Sequence, residues 1–246
     1  MTDHNETADA AIGSAAEGAA ADATTSDDRP TYAYYPAFRA QEQLRGQDSL
    51  GITHEAEQLF KEWDERVHVR GIYSTVAFRT DADLMMWWVA RSPDDVQELL
   101  AELRRTPLGR GLAQTHAFLG VHRPPEVAKD HVPAFMTGAA PKKYLNVYPF
   151  VRSHDWYLIP REERAALLRE HGEMGREFPG VLANTTSNFG IGDWEWILAF
   201  EADELTEIVD CIRRLRDAKA RKFTSVEIPF LTGVRKSLGD AVGDAL

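Results

Sequence analysis

The sequence predicts an α+β chain built from two ferredoxin-like units, and three observations carry that reading. From Tyr32 onward, β-rich runs alternate with amphipathic helical patterns. Their order is strand, helix, strand, strand, helix, strand, performed twice. Two stretches also resemble each other at a fixed offset: Trp87 matches Trp196, Asp94-Asp95-Val96 matches Asp203-Glu204-Leu205, Glu98 matches Glu207, and Arg104-Arg105 matches Arg213-Arg214, all 109 positions apart. Each copy reads as a strand, a turn, and a helix with an acidic start and a basic end, the charge order that suits a helix macrodipole.

Strands are expected at 33–38, 71–79, 85–90, 116–122, 144–152, 181–189, 194–201 and 226–231, where β-branched and aromatic residues concentrate. Helices at 54–67 and 161–176 precede the two repeated stretches, with Leu59 matching Leu168 at the same offset. Turn formers at 106–111 end the first copy, and 123–143 make a long irregular connection of the kind that is functional or disordered in compact domains. Residues 1–30 hold no aromatic side chain and almost only Ala, Asp, Glu, Gly, Ser and Thr, which reads as a disordered acidic tail. The expected organisation is therefore a tail at 1–30, one unit at 31–125, a connecting loop at 126–143 and a second unit at 144–246.

Composition narrows the function classes. Acidic side chains (39) outnumber basic ones (28), giving a net charge of -11, so a nucleic-acid or anionic-membrane surface would need a basic patch that the sequence does not display. Cys211 is the one cysteine, which excludes an internal disulfide and any cysteine-based zinc or iron-sulfur site. The N-terminus lacks a basic flank and an apolar core of signal type, and no segment approaches a membrane span, so the cytoplasm is the expected compartment. No HExxH, P-loop or GxSxG pattern occurs.

The residues suited to chemistry lie in the second unit. On the 161–176 helix, Ala165, Leu168, His171 and Gly175 share one face, so the imidazole of His171 points inward, and Gly172 and Gly175 leave room beside it for a flat ligand. An inward histidine is more often a hydrogen-bonded core residue than a metal ligand, and the residues alone leave both readings open. Strand 144–152 splits by its period of two: Tyr144, Asn146, Tyr148, Phe150 and Arg152 on one face, Leu145, Val147, Pro149 and Val151 on the other. The second face suits a core against helices. The first suits either a ligand-cavity wall or a solvent-facing surface. Pro149 implies an edge or bulge. His131, beside Asp130 on the long connection, can serve as a general base or simply sit in water, and the residues alone favour water.

Taken together, Tyr148-Pro149 with Arg152, Asp155-Trp156-Tyr157-Leu158-Ile159-Pro160, Arg169-Glu170-His171-Gly172 with Gly175-Arg176, and Gly192-Asp193-Trp194-Glu195-Trp196 resemble the coproheme decarboxylase branch of the chlorite dismutase superfamily. The resemblance covers nearly the whole chain after the tail. It implies a pair of ferredoxin-like units forming a dimeric α/β-barrel-type fold, a homopentamer, and a haem site in the second unit. It assigns His171 as the iron ligand, Tyr148 as the redox-active tyrosine and His131 as the distal base of a histidine-using subgroup. Arg152, Trp156, Asn184, Arg221 and Ser225 become substrate contacts.

The implied reaction is the hydrogen-peroxide-dependent conversion of two propionates of iron coproporphyrin III into vinyls, giving haem b, with the iron porphyrin as both substrate and redox centre. His131 would take a proton from peroxide, and the oxidant so formed would draw an electron and proton from Tyr148. Four substrate carboxylates would account for cations inside an acidic protein's site. A coproporphyrin ferrochelatase would be the upstream partner. Two rivals share the fold: a haem-binding or stress protein or haem peroxidase, and a chlorite dismutase. The last would need a distal arginine that Val181-Leu182-Ala183-Asn184-Thr185-Thr186 does not supply.

Overall fold

The computed structural model describes residues 29–122 and 132–246; residues 1–28 of the expected tail and His131 lie outside these. In chain order the elements are β1 (Thr31–Ala40), α1 (Ser49–Trp63), β2 (Val67–Ser74), β3 (Leu84–Ala90), α2 (Pro93–Leu103), α3 (Pro107–Arg110), β4 (Leu112–His122), β5 (Tyr144–Arg152), α4 (His154–Leu158), α5 (Arg161–Gly175), β6 (Leu182–Ser187), β7 (Trp196–Ala202), α6 (Leu205–Leu215), β8 (Thr224–Val226), β9 (Leu231–Arg235) and α7 (Leu238–Gly243). Local chemistry starts several helices. Asp48 accepts the Gly51 N–H at the start of α1, and Ser92 accepts the Asp94 N–H with Pro93 at the first helical position of α2.

The strands of the first unit lie in the order β4-β1-β3-β2, and those of the second in the order β6-β7-β5-β9, each the arrangement of a ferredoxin-like sheet. Two short seams, Val121 against Ser187 and Tyr73-Ser74 against Arg235-Val234, join the two sheets into a closed cycle of pairings. Alternate residues of each strand therefore point into the cycle or out beneath the helices, and both faces are buried.

The inward side chains form one core shared by both units: Tyr35, Tyr73, Met85, Trp87, Phe118, Leu145, Val147, Ile197, Ala199 and Leu231 among them. The outward ones pack under helices in two separate clusters. Tyr34, Phe38, Met86 and Trp88 meet Phe60 and Trp63 of α1 and Leu99 and Leu103 of α2. Tyr148, Phe150, Leu198 and Phe200 meet Ile208 and Cys211 of α6. Helix α7 follows the second unit in the chain, yet Leu238, Ala241 and Val242 close the first unit's core.

The repeat is present, with a different register from the residue matches. Helix α5 begins at Arg161, 112 positions after Ser49 of α1, and the same spacing separates β7 from β3 and α6 from α2. The matches at 109 are three residues out of step. A three-residue shift nearly preserves a helix face, so the charged helix ends still match. It inverts a strand face, so Trp87 and Trp196 are not equivalent: Trp87 points into the shared core and Trp196 packs under the second unit's helices.

Other expectations shift locally. Strand β2 ends at Ser74 because the chain turns there, β4 starts four residues early at Leu112, and 106–111 contains the short helix α3. The run expected as one strand at 226–231 is split into β8 and β9, with 227–230 between them outside any ladder.

Candidate functional site

Helix α1 and helix α5 are both fifteen residues long and occupy equivalent places, yet they cover their sheets differently. Helix α1 buries Ile52, Thr53, Ala56, Phe60 and Trp63. Helix α5 buries Leu168 alone. At the 112-residue spacing, His171 stands where the first unit has Leu59, Gly172 where it has Phe60, and Gly175 where it has Trp63. A solvent-connected cavity lies between α5, α6 and the outer face of the sheet, its space of about 510 Å³ including the open mouth.

Strand β5 supplies one wall, with Tyr148, Phe150 and Arg152 pointing into the cavity. The opposite face, Leu145 and Val147, enters the core shared by the two units rather than packing against helices as expected, because cyclic pairing buries both sides of the strand. The second edge of β5 is paired with β9 as far as Val147 and with β8 from Val151, so Tyr148-Pro149-Phe150 faces the unladdered stretch 227–230. Pro149 falls in this gap. Phe230 lies in the same stretch, and its ring stacks on Tyr148 with centroids 4.5 Å apart, while Phe200 meets Tyr148 edge-on at 5.8 Å.

His171 lines the cavity from α5. Desolvation and the nearby Arg152 cation lower its pKa to about 4, so the imidazole is neutral at physiological pH with a lone pair available for a metal. Among the described residues no group of three or more His, Cys, Asp or Glu side chains could hold a metal ion. A lone imidazole could hold a metal that brought its remaining ligands with it. Tyr148 is buried, and desolvation, then the charge of Glu227, raises its pKa, so the phenol keeps its proton. Oxidation of such a phenol must release a proton together with the electron.

Arg152 is only 4% exposed. Its guanidinium carbon lies 4.1 Å from the Trp156 ring centroid and 4.6 Å from that of Phe150, and Nη1 donates to the Ala220 carbonyl at 3.1 Å. Trp156 is thus a buried support behind Arg152, packed against Phe223. Glu195, from the tryptophan-rich motif, accepts the Arg152 backbone N–H at 2.8 Å and the Tyr157 hydroxyl at 2.6 Å, which clasps the end of β5 to α4.

Of the residues expected to touch substrate, Arg221 lines the cavity, and Ser225 and Asn184 do not. Ser225 is exposed, and its neighbour Thr224 faces inward, since one residue along a strand reverses the face. Asn184 points into the shared core, where Oδ1 accepts the Phe135 N–H at 2.9 Å and Nδ2 donates to the Ala199 carbonyl at 3.1 Å and to Glu201 at 3.2 Å. These bonds use it structurally. Arg216 and Glu227 also line the cavity and belong to none of the motifs that point to the site, although Arg216 closes α6 and Glu227 begins the gap between β8 and β9.

The chlorite dismutase family model matches residues 50–236. A coproheme decarboxylase of Mycolicibacterium smegmatis is 42% identical over 213 residues, covering 86% of this chain and 92% of the relative. A coproheme decarboxylase of Thermus thermophilus is 30% identical over 158 residues, covering 58% and 63%. Among solved structures, a chlorite dismutase variant from Candidatus Nitrospira defluvii superposes with a TM-score of 0.78 at 21% identity, covering 88% of this chain and 95% of the other.

Proposed function

The chain belongs to the chlorite dismutase family, and on that premise we propose that it is a coproheme decarboxylase, converting two propionates of iron coproporphyrin III into vinyls with hydrogen peroxide as oxidant and haem b as product. The observation that carries this reading is the pairing across one cavity of a neutral imidazole, His171, with a protonated buried phenol, Tyr148. Arg152, Arg216 and Arg221 line the same cavity and suit a substrate bearing four carboxylates.

Each residue then has a role. His171 holds the substrate's iron. Tyr148 passes an electron and its proton to the activated centre, and the resulting phenoxyl removes a hydrogen atom from a propionate. Loss of carbon dioxide and of a second electron leaves the vinyl. Per propionate, one peroxide and one proton are consumed, and one carbon dioxide and two waters are released. Stacking between Phe230 and Phe200 holds the phenol in one orientation, and burial keeps water from competing for it. His131, outside the described residues, is proposed as the base that moves the peroxide proton.

The sheet surface over the cavity offers Leu198 and Phe200, with Ala183 packed beside them, in place of the guanidinium that the resemblance associates with chlorite chemistry. We further propose that the protein works in the cytoplasm as a homopentamer supplied by a coproporphyrin ferrochelatase. The exposed apolar side chains Tyr157, Leu158, Phe189 and Ile191 offer surface for subunit contact. No helix among the described residues is long and apolar enough to cross a membrane.

The test is to mix the protein with ferric coproporphyrin III, titrate hydrogen peroxide and follow the porphyrin by chromatography and mass spectrometry. Stepwise conversion of two propionates to vinyls, each with loss of one carbon dioxide, is the expected result. Binding without a change in mass would assign a haem-binding role instead.

A further inference from the structure

Three guanidinium groups and one carboxylate line the cavity. The carboxylate, Glu227, bridges two of the guanidinium groups. Its Oε2 pairs with Nη1 of both Arg216 and Arg221, while Arg152 is held by Trp156, Phe150 and the Ala220 carbonyl. The Glu227 side chain is only 14% exposed, against 36% and 39% for its two partners, so the carboxylate is the more buried member of the cluster. Glu227 stands at the start of 227–230, the stretch between β8 and β9 that no ladder restrains.

We infer that Glu227 is an internal stand-in for a substrate carboxylate, holding Arg216 and Arg221 until a propionate takes them over. The inference rests on the coproheme reading above. A propionate presents the same acceptor group as a glutamate side chain, so the arginines exchange one charge-assisted pair for another of similar strength. Two carboxylates on the same pair of cations repel, and the one on the unladdered stretch is the one free to withdraw. Substrate must therefore compete with a tethered rival, which lowers its apparent affinity below that of bare arginines. The same competition keeps other small anions off these cations and returns Glu227 to them when product leaves.

The experiment is an absorbance titration of the full-length protein and its Glu227→Gln and Glu227→Asp variants with ferric coproporphyrin III, alongside thermal denaturation of each. Glu227→Gln keeps the shape and removes the charge, and should tighten binding by about tenfold. Its melting temperature without porphyrin should fall and its porphyrin-induced rise should grow. Glu227→Asp, with a shorter reach, should lie between the two. Unchanged or weaker binding by folded Glu227→Gln would overturn the inference, since a carboxylate that merely orients the arginines would lose affinity on removal. Should Glu227→Gln fail to fold, Glu227→Asp decides by the same sign. If the unsubstituted protein converts coproheme and the variants bind no tighter, this inference alone fails. If it neither binds nor converts coproheme, the functional reading fails and the inference with it.

Discussion

The two sheet–helix interfaces of this chain begin from the same scaffold and end differently. In the first unit Trp88 on β3 meets Phe60 edge-on at 6.0 Å and Tyr34 at 5.6 Å, and α1, α2 and α7 seal the space around them. In the second, Phe200 occupies the place of Trp88, and Gly172, Gly175 and His171 occupy the places of Phe60, Trp63 and Leu59. Each large apolar side chain buried in the first unit contributes about 1.5–3 kcal/mol. The second unit forgoes that contribution along α5 and gains a cavity lined by groups that can bind and react. The first unit therefore serves mainly as the stable half of a shared core, and the second carries the site.

The comparison can be broken or sharpened at five positions. Replacing Tyr148 with Phe leaves the shape of the cavity and removes its redox-active hydroxyl. Decarboxylation should fall at least a thousandfold, about 4 kcal/mol in barrier, with coproheme binding retained. Mass spectrometry of the peroxide reaction checks this, and full turnover would end the assignment. Trp88→Ala in the first unit should cost about 3–5 kcal/mol in denaturant unfolding, because the packed side cannot collapse around the lost ring. Phe200→Ala, at the equivalent place beside an existing cavity, should cost less stability and more porphyrin affinity; equal costs would remove the distinction between the units.

Gly172→Phe restores the first unit's side chain to α5. It should weaken coproheme binding about tenfold in a titration, about 1.4 kcal/mol, while the protein stays folded. The smallest effect is expected at Gly175, where an added Cβ meets nothing within 4 Å. Gly175→Ala should raise stability by about 0.5 kcal/mol through helix propensity and leave binding unaltered.

Much of the fold and part of the site are legible in the sequence. Strand 144–152 coincides with β5, and the 161–176 helix differs from α5 by one residue at its end. Both carry strong periodicities, and the face shared by Tyr148, Phe150 and Arg152 follows from a period of two. The inward direction of His171 follows likewise from the spacing of its helix. Asn184 and Ser225 lie off the cavity lining, and strand parity accounts for Ser225: its neighbour Thr224 presents the cavity face, and motif resemblance does not resolve parity. The 109-residue matches fail similarly, because charge patterns on helices tolerate a three-residue slip that strands do not.

Local residue patterns were sufficient for the order of elements, the two-unit repeat and the candidate chemistry, since periodicity, capping and turn formation act over a few residues. Pairing between distant segments decided the rest. Closure through Val121–Ser187 and Tyr73–Arg235 made both faces of β5 interior, and the break between β8 and β9 left Glu227 and Phe230 beside Tyr148. The cluster of Arg216, Arg221 and Glu227 forms where the end of α6, the turn at 219–223 and this break meet at one cavity. Charges brought together from separate segments interact through space, and a linear pattern carries no record of that distance.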